Sequence, residues 1–446
     1  MPVAVEAAPC IGLCHGAPAA CVGQHRVAQA NPQTLVDAVD RGQVHAQPLP
    51  APTPGRWTQL QRLLAGEVTA DSVLAELKAS NLRGLGGAGF PAWRKWETVR
   101  AQPGPRMGVV NIDEGEVGTF KDAAVLAEGI PQVLEGVLIA AEVVGLEHVW
   151  LYLRDEYHDA RALLQAELGR LQADLAPLRA RFPQWRPPRI ELRRGAGAYI
   201  CGEESALIES LEGKRGVVRA KPPLPALEGF MGKPTVVNNV ISLATVPVIF
   251  ERGAAFYRDF GLGRSRGTIP LQIAGNVKHG GLFEVAFGLT LGEIVDSIGG
   301  GTATGRPVKA VQVGGPLGAY FPPSLFDTPF GYEEFGAKEG LIGHAGLVIF
   351  DDSADMLKQA RFAMEFCAIE SCGKCTPCRI GAVRGVETIN RIKRGDAAAM
   401  PILTDLCNTM KSGSLCALGG FTPYPVMSAL NHFPDDFTPA LKEAAE

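Results

Sequence analysis

The chain has 446 residues, 46% of them apolar, and a net charge of −4 with acids and bases mixed. That length exceeds one simple domain and fits roughly two to four. No basic block points to nucleic acid, no acidic tail points to a disordered arm, and no stretch approaches the roughly 20 apolar residues of a membrane span. The N-terminus, MPVAVEAAPC, shows no secretory pattern. The expectation is a soluble, cytoplasmic protein whose ten cysteines are free or metal-bound rather than disulfide-paired.

Residues 1–45 hold Cys10-Ile-Gly-Leu-Cys14 and Cys21, and Pro48 to Pro54 read as a linker. From about residue 57 the pattern is α/β. Val73, Leu74, Leu77 and Leu82 recur at threes and fours, giving helical spacing to the stretch Ser72–Ser80. Met107–Val110 and His148–Leu153 read as buried strands, Pro131–Val144 as a helix, and Tyr157–Arg181 as one long polar helix. Residues 267–350 change character. Ile269–Ala274, Lys309–Val313 and Leu347–Phe350 read as strands, with a helix near Leu291–Ser297. From Met356 the pattern is helical, interrupted by cysteines.

Those cysteines carry the strongest local signal. Cys372, Cys375 and Cys378 form C-x2-C-x2-C in ESCGKCTPCR. Zinc sites use paired C-x2-C units or His partners, whereas three close thiolates with a distant fourth are the iron–sulfur pattern. Pro377 within the run predicts ligands on a turn rather than mid-helix. Cys407 and Cys416 are the candidates for the fourth ligand. Cys416, in the small-residue loop GSLCALG, is favoured over Cys407 in an apolar helical stretch. Cys367, spaced with Phe362 and Phe366, reads as packing.

Three glycine loops come earlier in the chain. Gly84-Leu-Gly-Gly-Ala-Gly89 matches G-x-G-x-x-G, but a helix precedes it and Phe90-Pro91 follows, so it is not the dinucleotide fingerprint. A loop without Cβ atoms still lets backbone N–H groups reach a phosphate or flat ring, with Lys95 nearby to add charge. Asn111-Ile-Asp-Glu-Gly-Glu-Val-Gly118 follows a strand, where open α/β sheets gather ligands. Its acids Asp113, Glu114 and Glu116 need hydrogen-bond partners. The third loop, GAGAYICGEES, sets Glu203 and Glu204 beside Gly202 among apolar residues. Lys221 and the pair Asn238-Asn239 add polar groups on later turns.

Taken together, LRGLGGAGFP, NIDEGEVGTFKD, GAGAYICGEESALIESLEGKRG, KPTVVNNV and ESCGKCTPCR resemble one family. It is the NADH-oxidising flavoprotein subunit of respiratory complex I, with its relatives in NAD-dependent formate dehydrogenases and NAD-reducing hydrogenases. The resemblance runs from about residue 80 to 430. It implies an α/β fold: a Rossmann-like FMN/NAD domain over 51–265, a ubiquitin-like β-grasp domain over 266–352, and a C-terminal helical bundle over 353–446. It places FMN against Gly84, Gly86, Gly87, Lys95, Asn111, Asp113, Tyr199, Gly202, Asn238 and Asn239, with Glu114 in the same loop. It places NADH near Phe90, Glu116, Lys221 and the catalytic-site pair Glu203 and Glu204. It makes Cys372, Cys375, Cys378 and Cys416 ligands of a [4Fe–4S] cluster.

The wording over 217–281 is most similar to the formate dehydrogenase β subunit. That implies a molybdenum- or tungsten-pterin α subunit as partner and a small [2Fe–2S] γ subunit beside it. A complex I or hydrogenase diaphorase is the alternative, and a non-redox zinc/nucleotide scaffold is a second one. APCIGLCHGAPA resembles the second half of a thioredoxin-like [2Fe–2S] domain, covering 1–50, without its first cysteine pair. Cys10 and Cys14 are therefore expected to hold no cluster by themselves. Leu85, Trp93, Ala123-Ala124 and Leu224 stand where the family commonly has Arg, Gly, Arg with an aromatic, and Phe. A flavin exchanges hydride on one side and single electrons on the other, so no side chain is expected to act as general acid or base at the hydride step.

Overall fold

The computed structural model describes residues 5–8, 10–47, 49 and 57–437. Apart from Leu49, the Pro48–Pro54 linker lies outside the described residues. The central element is a four-stranded parallel sheet of β1 (Arg106–Ile112), β2 (Leu146–Leu153), β3 (Arg189–Arg194) and β4 (Thr235–Asn239), in the order β3-β2-β1-β4. β1 and β2 are apolar almost throughout because both sheet faces are covered. Alternation sorts their side chains. Val110, Ile112, Leu151 and Leu153 join one core, whereas Met107, Val109, Trp150 and Tyr152 join a second core shared with the C-terminal helices.

Helices α1 (Ala70–Ser80) and α2 (Ala92–Arg100) precede the sheet. α1 begins at a capping box in which Thr69 and Ser72 exchange side-chain and backbone hydrogen bonds. α3 (Lys121–Val144) crosses from β1 to β2 and starts ten residues earlier than the apolar run alone predicts. It is bent at Gly129, two residues before Pro131. α3 packs on α7 (Val240–Arg252) at glycine distance, since a Cβ on Gly136 would enter the Leu243 carbonyl oxygen. α3 is also long and apolar enough, by length and composition, to cross a membrane, which corrects the expectation that no stretch approaches that length. Charges at Lys121, Asp122, Glu128, Glu135 and Glu142 interrupt the run and mask it in the sequence. Its apolar residues, among them Leu126, Ile130, Val133, Leu134 and Val137, are buried in the core.

The expected long helix after β2 is two. α4 (His158–Asp174) ends at Leu175, and α5 (Ala176–Arg181) starts with Pro177 in its first turn. Proline lacks the N–H that a continuing helix would need. α6 (Glu204–Leu211) follows β3.

The 267–350 region forms a five-stranded mixed sheet of β5 (Thr268–Gly275), β6 (Gly281–Ala286), β7 (Val308–Val313), β8 (Tyr320–Phe321) and β9 (Gly346–Asp351). Its order is β6-β5-β9-β7-β8, with β5 and β9 parallel. The helix expected at 291–297 is a single α turn, Leu291–Glu293, that widens into a π turn over Ile294–Ile298.

The C-terminal helices are α8 (Met356–Glu370), α9 (Thr376–Lys393), α10 (Ala399–Gly413), α11 (Ala417–Phe421) and α12 (Pro423–His432). Met364, Cys367, Ile389, Leu403, Cys407 and Val426 fill their core. The N-terminal segment is a short turn, a two-stranded hairpin and the helix Pro32–Asp40. It sits on the central domain, with Arg26 paired to Asp159 and His15 against Phe120.

Candidate functional site

After β3 the chain returns to the far side of β1 to form β4, so strand order reverses between β1 and β4. Crevices outside the C-terminal strand ends at such a reversal are where open α/β sheets bind ligands. Asn111 and Asn239 mark those two ends, and both turn inward. Asn111 Nδ2 donates to the Gly202 carbonyl at 2.9 Å, and its Oδ1 accepts from Asp113 N at 3.0 Å. Asn239 caps α7 through Ile241 N and donates to Asp122 Oδ2 at 2.8 Å. Asn238 accepts from the buried Trp96 indole at 2.9 Å.

The first glycine loop joins α1 to α2 and crosses the mouth of this crevice. Leu85 N donates to Ser242 Oγ, and a Cβ on Gly86 would stand 2.7 Å from the Asn239 Cβ. Gly87, at φ +125, adopts a backbone conformation that favours glycine, and its missing Cβ would lie 3.8 Å from the backbone of Gly343 and His344. Leu85 points into the core. The guanidinium in this loop is Arg83, which donates to the Gly89 carbonyl at 2.6 Å and to Glu333 at 2.7 Å. Trp93 lies under Lys78 on the side of α2, with Nζ 4.8 Å from the ring centroid. Phe90 and Leu224 are exposed.

The acidic loop resolves into three fates. Glu114 is buried and accepts from the N–H groups of Asp122 and Ala123 and from the Tyr157 hydroxyl. Its carboxylate therefore closes the start of α3 instead of facing the crevice. Glu116 Oε1 accepts from the Tyr199 hydroxyl at 2.8 Å, and its other oxygen pairs with His344. Burial opposes its ionisation, but His344 and Tyr199 outweigh burial and hold the carboxyl below its ordinary range. Asp113 Oδ2 is shielded from solvent and has no hydrogen-bond partner. Burial pushes this carboxyl up to about 8, against the pull of Arg154.

In the third loop, Glu203 caps α6 through Ser205 N and Ala206 N. Lys221 Nζ bridges Glu203 at 2.7 Å and Glu204 at 2.9 Å, and Lys95 reaches Glu204 at 3.4 Å and the Val237 carbonyl at 3.2 Å. Burial would raise Glu204, but the two lysines hold it below its usual value. Tyr199 N donates to Glu370 Oε2 at 3.1 Å, and its ring meets Phe366 edge-on. One residue thus touches both the acidic loop and α8.

Glu370 is the last residue of α8, two before Cys372. Cys375 is the N-cap of α9, and Cys378 lies inside its first turn. Cys372 and Cys375 thus lie outside the helix as expected, and Cys378 departs from the turn only by entering the first helical turn. Pro377 occupies the first turn, where a missing N–H leaves no helical bond unmade. Cys416 is the N-cap of α11, and a Cβ on Gly419 would stand 2.6 Å from the Cys378 Cβ, so α11 brings Cys416 toward the run. Cys407 is buried in α10, where burial raises its thiol to about 12. Cys367 is buried as expected, with its sulfur 3.7 Å from that of Cys378.

His344, Ser242 and Arg154 were missed by sequence reasoning, as were the contacts of Glu370 and Phe366 with Tyr199. No local spacing signals them, because their partners lie far away in the chain. The residues present suit the expected groups. The unpaired buried oxygen of Asp113 suits a polar chain, and a loop without Cβ atoms lets backbone N–H groups approach a flat ring. An all-thiol donor set suits an iron–sulfur cluster.

Residues 77–248 match the Nuo51 FMN-binding domain, and residues 358–440 match the NADH-ubiquinone oxidoreductase-F iron-sulfur binding region. The chain is 39% identical over 398 residues to the F 2 subunit of the NADH-quinone oxidoreductase of Rhizobium meliloti (strain 1021), covering 87% of this chain and 93% of that protein. It is 38% identical over 380 residues to the HndC subunit of the NADP-reducing hydrogenase of Solidesulfovibrio fructosivorans, covering 83% and 76%. A crystal structure of NAD+-reducing [NiFe]-hydrogenase in the H2-reduced state superposes with a TM-score of 0.86 at 32% identity, over 97% of this chain and 76% of that one. These matches set aside the non-redox scaffold. The chain belongs to the family of complex I 51 kDa (NADH-quinone oxidoreductase F) subunits and is an NAD(H)-dependent oxidoreductase subunit that uses FMN, NAD and a [4Fe–4S] cluster.

Proposed function

We propose that this chain is the diaphorase subunit of an NAD-dependent formate dehydrogenase, passing electrons between NAD(H) and a partner that bears a molybdenum- or tungsten-pterin centre. When bound, FMN supplies the exchange of hydride with NAD(H) and of single electrons with the cluster. The chain's residues orient the two ligands and exclude water. Gly84, Gly86, Gly87, Lys95, Asn111, Asp113, Gly202, Asn238 and Asn239 form the flavin wall, with Glu114 bracing it from behind. Tyr199 belongs to the same flavin wall, and Phe90, Glu116, Glu203, Glu204 and Lys221 face the nicotinamide nucleotide. Cys372, Cys375, Cys378 and Cys416 hold the cluster.

The single observation that carries the flavin placement is Asp113. Its unpaired, shielded oxygen stands at the strand-order reversal and calls for a hydroxyl-bearing ligand. We read the five-stranded sheet as the β-grasp domain, residues 353–446 as the cluster-bearing bundle, 51–265 as the FMN/NAD domain and 1–50 as a partial thioredoxin-like segment. We place the protein in the cytoplasm, with a small [2Fe–2S] subunit beside it. The wording over 217–281 favours formate dehydrogenase. The names of the relatives favour complex I or a hydrogenase, which is the second reading.

The test is an anaerobic NADH titration of the purified chain, followed by visible absorbance. Joint bleaching of flavin and iron–sulfur bands is expected. Protein that contains both groups and does not bleach would refute the nucleotide assignment. Identification of the co-purifying large subunit decides the parent complex.

A further inference from the structure

The N-terminal segment carries chemistry that electron transfer between NAD(H) and the cluster does not use. Cys10 and Cys14 flank a turn at Gly12, φ +73, where a Cβ would meet the Tyr157 ring at 2.8 Å. Their sulfurs stand 3.3 Å apart, and both residues are half-buried. Arg154 Nη2 donates to the Cys10 carbonyl at 2.6 Å, and Gly118 N–H donates to Cys14 Sγ at 3.2 Å. The turn is therefore held by Tyr157, Arg154 and Gly118, and Gly118 ends the loop that bears Asp113 and Glu116. Closing the pair to a disulfide shortens the sulfur–sulfur distance by only about 1 Å. A [2Fe–2S] cluster takes four protein ligands, and this turn offers two.

We propose that Cys10 and Cys14 form a thiol–disulfide exchange site for low-molecular-weight disulfides, linked to the nucleotide loop through Gly118. The contact between the two sulfurs, the Gly12 amide and the Arg154 charge lower the Cys10 thiol against burial, while the same contact raises Cys14. Cys10 is thus the thiolate that attacks. Its sulfur bonds to one sulfur of the disulfide, whose S–S bond breaks and releases a first thiolate. Cys14 gives its proton to solvent, attacks the Cys10 sulfur and expels the second thiolate. Two electrons pass from the dithiol to the small disulfide, and the two thiol protons end, through solvent, on the two released thiols. The exchange stands apart from the assigned NAD(H) reaction. Only its link to activity rests on the reading of the acidic loop as a nucleotide loop.

The test incubates the full chain, with its cofactors, with oxidised glutathione under argon, followed by alkylation, proteolysis and mass spectrometry. The expected result is loss of both thiols as a Cys10–Cys14 disulfide, reversed by dithiothreitol. Cys14→Ser is expected to stop at a glutathione adduct on Cys10, and Cys10→Ser to leave Cys14 unmodified. Retention of both thiols in the parent protein, or modification of Cys14 in Cys10→Ser, overturns the proposal. So does iron lost from the double variant relative to the parent, since the pair would then be a metal site. The rate of NADH oxidation by ferricyanide is expected to change in the disulfide form and return on reduction. An unchanged rate in fully bridged protein overturns the link through Gly118. No NADH oxidation even in reduced parent protein counts against the proposed function instead.

Discussion

Tyr199 donates its hydroxyl to Glu116 Oε1 at 2.8 Å while its backbone N–H donates to Glu370 at the end of α8. The same Glu116 is paired on its other side with His344, from the loop before β9. Three parts of the chain thus fix one carboxylate of the acidic loop, and Lys121 adds positive charge nearby.

His344→Ala should therefore raise the pKa of Glu116, because burial would act on the carboxyl with less opposition. One lost charge-assisted bond of about 1.5–3 kcal/mol predicts an NADH dissociation constant roughly ten- to a hundredfold weaker, with flavin content retained. Stopped-flow reduction by NADH across pH 6–9 checks it. Unchanged NADH affinity at every pH would remove His344 from the site.

Asp113 makes a stability prediction for flavin-free protein. Its folded pKa, about 8, lies above the ordinary aspartate value of 3.8, so the folded state holds a proton that the unfolded state releases. The stability it contributes is full below about 4 and is lost as pH rises toward 8. The slope is at most about 1.4 kcal/mol per pH unit. Asp113→Asn should flatten that slope. Parallel urea-denaturation profiles for the two proteins from pH 4 to 8 would contradict it.

The fourth cluster ligand separates two cysteines only nine residues apart. Cys416→Ser should lose most of the cluster's iron and acid-labile sulfide. Cys407→Ser should keep them, since Cys407 lies within the helical core. Metal and sulfide analysis of both variants decides, and the reverse pattern would move the ligand to α10.

Gly136 tests the packing that sets the sheet's cover. A methyl group there enters the Leu243 carbonyl oxygen, which is rigid α7 backbone, so α3 and α7 must separate. Gly136→Ala should destabilise the fold by about 1–3 kcal/mol with cofactor chemistry unchanged. Chemical denaturation measures it, and a neutral or stabilising result would show that the helices slide freely.

Chemistry that sits in short, contiguous strings was legible without any coordinates. Cys372, Cys375 and Cys378 are close along the chain, so their spacing alone names an iron–sulfur run. The apolar runs of β1 and β2, and the helical spacing of Val73, Leu74 and Leu77, reflect local backbone periods that burial repeats residue by residue. Whatever depends on pairing across the fold had to wait for the packed chain. Nothing local distinguishes Glu114, which closes α3, from Glu116, which pairs with Tyr199 and His344, or from Asp113, which keeps an unpaired oxygen. Their partners Tyr157, Tyr199 and His344 come from three later elements, brought together by the β3-β2-β1-β4 order and by the second sheet packed beside it. The break at Leu175 and the helical position of Cys378 were likewise settled by where a proline falls relative to a helix start. Charge and spacing declare which groups are present, but packing decides which are left without partners, because burial removes the water that would otherwise satisfy them all alike.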